Sequence, residues 1–293
     1  KDRSLQVGFP ASLLNLSPFP PQSACSACLR SWSGSPMLRL GIVDFDSSHS
    51  VEFARRFNCK THDREQFVDG AEVVVAWPGS SEMAPERISG FRSEIESLEI
   101  PLVENWQDLI GQIDAVLILS LCGAAHLERV RPFLEAGIPA FVDKPFACSV
   151  ADARQMIELA KENNVTMFNA SGLRFSEEVL DVERNRKTFG TVQGAITYGP
   201  AKRAEGNPGL FHYGIHSVEV LFEILGSGCE SVVTSHSDGA EVVTGRWSDG
   251  RLGTVRGSRF GATPYGFLAY CENGVLQRDV STRFAYRNLC RKI

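Results

Sequence analysis

From Leu38 onward, short apolar runs alternate with amphipathic stretches. Leu38 to Val43 predicts a strand, and Val51 to Phe57 has the spacing of a helix. Glu72 to Trp77 predicts a second strand and Pro85 to Leu98 a charged amphipathic helix. Leu102-Val103 reads as a short extended piece, and Ala115 to Leu119 as a fully apolar strand. His126 to Glu135 predicts a helix closed by Gly137, followed by a strand over Pro139 to Val142. Ser149 to Asp152 has capping-box spacing and starts a helix that runs to about Asn163. Val165 to Phe168 is the last apolar run of this kind. Continuous apolar strands alternating with helices predict a parallel sheet covered on both faces.

After about Ala170 the rhythm changes. Runs rich in Val, Thr and aromatics recur at 191–198, 231–236, 241–247, 252–260, 265–271 and 275–280. Asp249-Gly250 and Asn273-Gly274 lie between adjacent runs and are hairpin signals. One helix, from about His212 to Leu225, interrupts them. The expected fold is α/β: a doubly wound parallel (Rossmann-type) sheet over 38–169, then an α+β domain over 170–293 with a large, mostly antiparallel sheet. Residues 1–37 are rich in Ser and Pro and lack periodicity. They are read as an extension outside the fold, with translation beginning at Met37. A signal peptide is the competing reading, since Lys1 and Arg3 precede Leu13-Leu14, but Pro10, Asn15 and Pro18 break its apolar region.

Composition narrows the function classes. Of 293 residues, 43% are hydrophobic and 22% charged, which excludes disorder over most of the length. No apolar run approaches the roughly 18 residues of a membrane span. With 30 Lys+Arg against 35 Asp+Glu, the net charge of −5 argues against nucleic acid as the main partner. The eight cysteines are scattered, so free thiols and a reducing, cytoplasmic setting are expected. Cys25 and Cys28 form a CxxC without a second pair, which argues against a structural zinc. Cys122 and Cys148 read as small buried fillers, His62 and His236 as solvated, and Arg174 as one half of a surface ion pair.

Ligands of an open doubly wound sheet bind at the carboxyl ends of its strands. The loop after the first strand reads Asp44-Phe45-Asp46-Ser47-Ser48-His49 and has none of the glycines a dinucleotide fingerprint needs. Each carboxylate within about 4 Å of a phosphate charge would oppose binding by roughly 1 to 4 kcal/mol. Alternatively Asp46 or Ser47 caps the next helix and the loop never meets a phosphate. The second strand ends in Trp77-Pro78-Gly79-Ser80-Ser81 where an acid for a ribose is expected, and Ser80 either bonds that group or belongs to a turn. Asp143-Lys144-Pro145 puts a lysine at the end of a central strand. Farther on, His212, His216, Glu219 and Glu223 share one helical stripe. Such a stripe is either a solvated face or functional. As metal ligands, His212 and His216 at i, i+4 would take Glu219 as a third.

Together with Ala115-Val116-Leu117-Ile118, His126, Ala136-Gly137 and the helix at 150–163, Asp143-Lys144-Pro145 resembles the glucose–fructose oxidoreductase / inositol dehydrogenase / MocA family. That family has Glu-Lys-Pro here, so Asp143 is a conservative departure. Phe211 to Glu219 looks like the family's Asp-x-Gly-x-His helix start, with His216 matching the histidine and His212 replacing the aspartate. The resemblance implies hydride transfer between NAD or NADP and a sugar-like or polyol hydroxyl. Its catalytic residues would be Lys144, His216 and His212, with His216 as acid/base and Lys144 on the same oxygen. Cofactor contacts would come from Asp44, Phe45, Ser47, Ser48, His49, Ser80, Ser120, His126, Asp143 and Lys144, with no metal. The implied partners are a small-molecule substrate and further copies in a homodimer or higher homo-oligomer, with no nucleic acid and no membrane. It also implies a C-terminal shortening, because Ile293 falls in the helix that begins the family's return to the first domain. Two other classes stay open: a non-redox ligand-binding protein that has lost the dinucleotide, and a metal-dependent hydrolase or lyase using His212 and His216.

Overall fold

The computed structural model describes residues 37–293; the extension, its alternative signal-peptide reading and the Cys25–Cys28 pair lie outside the described residues. The first sheet contains β1 (Leu38–Val43), β2 (Ala71–Trp77), β3 (Ala115–Ile118), β4 (Ala140–Val142) and β5 (Met167–Phe168). It is wholly parallel, in the order β2-β1-β3-β4-β5. The crossovers carry α1 (His49–Phe57), α2 (Pro85–Ser97), α3 (His126–Glu135) and α4 (Val150–Glu162). Alternation along each strand feeds two cores. Leu40, Ile42 and Leu117 face Phe53 and Ile95, whereas Val43, Val116 and Ile118 face Phe133 and Met156. Both faces are therefore dry, as the continuous apolar strands required.

The caps follow the sequence. Ser149 accepts a hydrogen bond from the Asp152 N–H at the start of α4. Gly137, at φ +76, takes the left-handed conformation that ends α3. The last strand is shorter than its apolar run, because only Met167 and Phe168 find partners on β4.

The second half departs further from expectation. Besides α7 (Ile215–Leu225) it contains α5 (Glu177–Arg184), α6 (Arg186–Phe189) and α8 (Ala285–Cys290), where one helix was expected. These are short, so their periodicity hardly rises above that of loops. Its six strands are β6 (Val192–Pro200), β7 (Cys229–His236), β8 (Ala240–Trp247), β9 (Leu252–Ser258), β10 (Gly266–Cys271) and β11 (Gly274–Asp279), in the order β11-β10-β6-β9-β8-β7. The sheet is mixed: β6 runs parallel to β9, and the other pairs are antiparallel. Gly250 sits in the β8–β9 turn at φ +89, but Gly274 already pairs with Cys271, so Glu272-Asn273 form the tighter turn.

α7 covers one face of this sheet, with Leu221 and Leu225 against Trp247 and Val255. The Thr197 hydroxyl donates to the Ser217 carbonyl at 2.8 Å and ties α7 to β6. α8 returns to the first domain, where Leu289 and Cys290 join the core beside α1. Among the described residues, no helix is long and apolar enough to cross a membrane.

Candidate active site

The order β2-β1-β3 places the topological switch between β1 and β3, and the loops after these strands meet there. Asp44 stands at φ +70, so the backbone has the left-handed turn that a glycine would favour, with an aspartate in its place. The glycine that close approach demands lies across the crevice. A Cβ on Gly79, itself at φ +69, would fall 1.7 Å from Asp44 Oδ1.

Both loop carboxylates turn into the floor. Asp44 Oδ2 accepts from the Ser120 hydroxyl and from Arg129 Nε at 3.1 Å. Asp46 Oδ1 accepts from the Leu121 N–H at 2.9 Å. Burial, only partly offset by Arg129, pushes Asp44 up to about 6. Ser47 receives the His49 N–H on its hydroxyl at 3.3 Å, and Ser48 precedes α1 without a side-chain cap. The backbone N–H groups of 46, 47 and 48 make no hydrogen bond among the described residues. They leave an anion cradle at the start of α1.

At the end of β4, Asp143 is fully buried and Lys144 is 8% exposed. The Lys144 ammonium has no salt-bridge partner among the described residues. It lines a cavity of about 360 Å³ with Ser47, Ser48, His49, His212 and His216. The two halves of the chain thus bring the predicted lysine and histidines to one wall-to-wall space.

His216 Nδ1 lies 2.7 Å from the Ser171 hydroxyl, which also receives the Leu173 N–H at 3.2 Å. The Ser171 oxygen keeps a second lone pair beside the one that receives the Leu173 N–H, so its hydroxyl either donates to Nδ1 or accepts from it. Burial first, and the Lys144 charge second, push His216 down to about 3. Burial and then Lys144 also lower His212.

Several predicted positions lie elsewhere. His212 is not on the stripe of α7: residues 207–214 form turns, with the Phe211 N–H on the Pro208 carbonyl, and the helix begins at 215. Glu219 and Glu223 are held by Arg174 at 3.2 and 2.7 Å, so the third ligand of a His–His–Glu metal set is already paired. Arg174 is only 24% exposed there, a half-buried pair rather than a surface one. Phe45 is enclosed in the first core. His126 is enclosed as well, with its ring nitrogens 3.1 and 2.9 Å from the carbonyls of Phe146 and Ser120, and it joins the loops after β4 and β3. Ser80 receives Arg129 Nη2 at 3.4 Å. Cys122 and Cys148 are half-buried, and both thiols donate to the Gly206 carbonyl. His62 and His236 are exposed.

Sequence reasoning missed Ser171, Arg129 and Tyr286. Ser171 stands just beyond β5, so the rule that sites gather at strand carboxyl ends could have found it. Arg129 and Tyr286 gave no signal, since each is one position on a helix that the fold turns toward the crevice.

A doubly wound parallel sheet is thus followed by a mixed sheet, and a lysine and histidines from the two halves line one cavity at the carboxyl ends of the parallel strands. Residues 40–171, a little under half of the chain, match the oxidoreductase family with an NAD-binding Rossmann fold, Gfo/Idh/MocA. Inositol 2-dehydrogenase of Cereibacter sphaeroides (strain ATCC 17029 / ATH 2.4.9) is 29% identical over 121 residues, 41% of this chain and 32% of the relative. The chain spans about a third of the length of the first curated relatives it matches. Among solved structures, scyllo-inositol dehydrogenase from Lactobacillus casei, with bound NAD(H) and scyllo-inositol, has TM-score 0.70 at 14% identity and covers 88% of each chain. A myo-inositol dehydrogenase from Corynebacterium glutamicum ATCC 13032 has TM-score 0.68 at 17% identity, covering 83% of this chain and 75% of its own. At these identities the structural likeness is one of fold.

Proposed function

We propose that the protein is a nicotinamide-dependent oxidoreductase acting on a hydroxyl-bearing carbon of a sugar or polyol. The observation that carries this reading is the meeting of Lys144, from the end of β4, with His216, from α7, across a cavity that also opens on the start of α1. The residues fit the cofactor's phosphates: the carboxylates of Asp44 and Asp46 point away, and the N–H groups of 46 to 48 are free to receive an anion. When bound, NAD or NADP supplies the hydride acceptor or donor. Lys144 holds the substrate oxygen and stabilises the negative charge that develops on it. His216 hydrogen-bonds the same oxygen, and His212 closes the cavity behind it.

The family relatives named for inositols support a polyol substrate. Among the described residues, six cysteines are free thiols, which supports a reducing, cytoplasmic setting. The uncovered face of the second sheet, with Val233, Leu252, Tyr270 and Val275 exposed, supports a homodimer or higher homo-oligomer.

A second reading, a non-redox ligand-binding protein on the same fold, is favoured by one observation. The bonds from Asp44 to Ser120 and from Asp46 to Leu121 tie the β1 and β3 loops together across the switch crevice. Fluorescence titration with NADH and NADPH separates the two readings. Binding of either, followed by its formation from the oxidised cofactor with at least one of myo-inositol, scyllo-inositol, D-glucose and xylitol, supports the oxidoreductase. No binding of either at millimolar concentration, or no reaction across that panel, overturns it.

A further inference from the structure

Three imidazoles line the cavity, and they differ in what stands behind them. His216 has the Ser171 hydroxyl at Nδ1. His212 has nothing: its Nδ1 is buried without a hydrogen bond. His49 has a carboxylate, with Nδ1 2.6 Å from Asp143 Oδ2. The His49 ring is fixed on two further sides, stacked on Phe53 with centroids 5.2 Å apart and edge-on to Tyr286 at 4.8 Å. Its other nitrogen, Nε2, has no protein partner and is not among the enclosed polar atoms, and the residue lines the cavity.

We propose that His49, positioned by Asp143, is the proton acceptor of this site, a role that the family resemblance gives to His216. The inference rests on the oxidoreductase reading above. A carboxylate behind an imidazole orients it and stabilises the imidazolium that forms when the ring takes a proton. Asp143 meets that need. Burial pushes its acid up, but His49 and then Lys144 outweigh burial and hold the carboxyl low, hence ionised. His216 lacks this arrangement, because the group at its Nδ1 is the uncharged Ser171 hydroxyl.

In the oxidising direction the substrate O–H bond breaks and its proton passes to His49 Nε2. The hydrogen on carbon leaves with both bonding electrons, as hydride, to an oxidised nicotinamide dinucleotide. The C–O bond becomes a carbonyl, and the products are a ketone or lactone, the reduced dinucleotide and protonated His49. Lys144 keeps the oxygen in place throughout. Asp143 takes no proton and acts through His49 alone.

The test uses the full chain and the fastest alcohol of the panel above. His49→Ala is expected to lose about 100-fold or more in kcat. Its far-UV circular dichroism and thermal midpoint should stay close to those of wild type, which shows that the variant is folded. Millimolar imidazole should restore His49→Ala by tenfold or more and leave His216→Ala unchanged. Asp143→Asn should lower kcat about tenfold with KM unchanged, and Asp143→Glu should recover part of that loss. His49→Ala within tenfold of wild type, or imidazole rescue of His216→Ala instead, overturns this inference alone. A wild-type chain that binds neither reduced cofactor, or oxidises nothing in the panel, overturns the oxidoreductase reading and this inference with it.

Discussion

Ser171 Oγ stands 2.7 Å from His216 Nδ1, so a residue just past the last strand of the first sheet fixes an imidazole on the helix of the second domain. Ser171 is fully buried and His216 partly so, and burial first, then Lys144, carry the ring down to about 3. The unfolded ring titrates near its ordinary 6.5, so between about 6.5 and 3 the unfolded chain binds the extra proton. Stability from this site is complete above about pH 6.5 and declines as pH falls through that window. Chemical denaturation of wild type and His216→Gln between pH 4 and 8 checks it. Wild type is expected to lose more stability than the variant on acidification; parallel curves would refute the assignment.

Asp44 behaves in the opposite sense. Burial holds its folded pKa at about 6, above its ordinary 3.8, so the native state keeps a proton that the unfolded state has already released. The contribution favours folding below about pH 4 and is lost as pH rises through 6. Asp44→Asn removes it. The variant's Tm relative to wild type should therefore be higher at pH 7.5 than at pH 4, whatever the constant effect of leaving Arg129 with one carboxylate fewer. A difference that does not change with pH would count against a buried, partly protonated Asp44.

Gly79 and Asp44 exclude a side chain from each other's position. Gly79→Ala would place Cβ against Asp44 Oδ1 and strain a φ of +69. An expected loss of about 2 to 3 kcal/mol follows from the two effects together. Adding Asp44→Gly removes the clash but not the strain, so the double variant should recover roughly half, measured as a double-mutant cycle in urea.

Arg174 compensates two carboxylates at once, Glu219 at 3.2 Å and Glu223 at 2.7 Å. Burial already pushes Glu219 up despite the guanidinium. Arg174→Met leaves Glu219 without its cation, with an expected loss of about 3 kcal/mol at pH 7. Because the abandoned carboxyl then takes a proton more readily, the loss should shrink at pH 5, and equal losses at both pH values would count against the pairing.

Local pattern carried most of the first domain. Apolar strands that must be dry on both faces, a Ser149 cap and a Gly137 stop leave few alternatives to a parallel sheet with crossovers, and Lys144 at the end of one strand marks the crevice. The second domain was less legible. Its strands could be counted, but α5, α6 and α8 are too short for periodicity to distinguish them from loops, and the parallel pairing of β6 with β9 depends on residues nearly sixty apart.

The residues at the site divide in the same way. Lys144 was singled out by its place at a strand end, and His216 by a helical stripe together with the family resemblance. Their states were not legible in this way. Whether Asp44 and Asp46 face a phosphate or the floor depends on Ser120, Arg129 and Leu121, all some 75 or more positions away. Which of three histidines has a carboxylate behind it depends on the end of β4 meeting the start of α1. The chain's own sequence determined which elements form and which chemical groups are present, since these follow from local burial and backbone preference. Only tertiary structure decided which charges are paired, which are buried and which imidazole can receive a proton, because electrostatic state is set by neighbours in space.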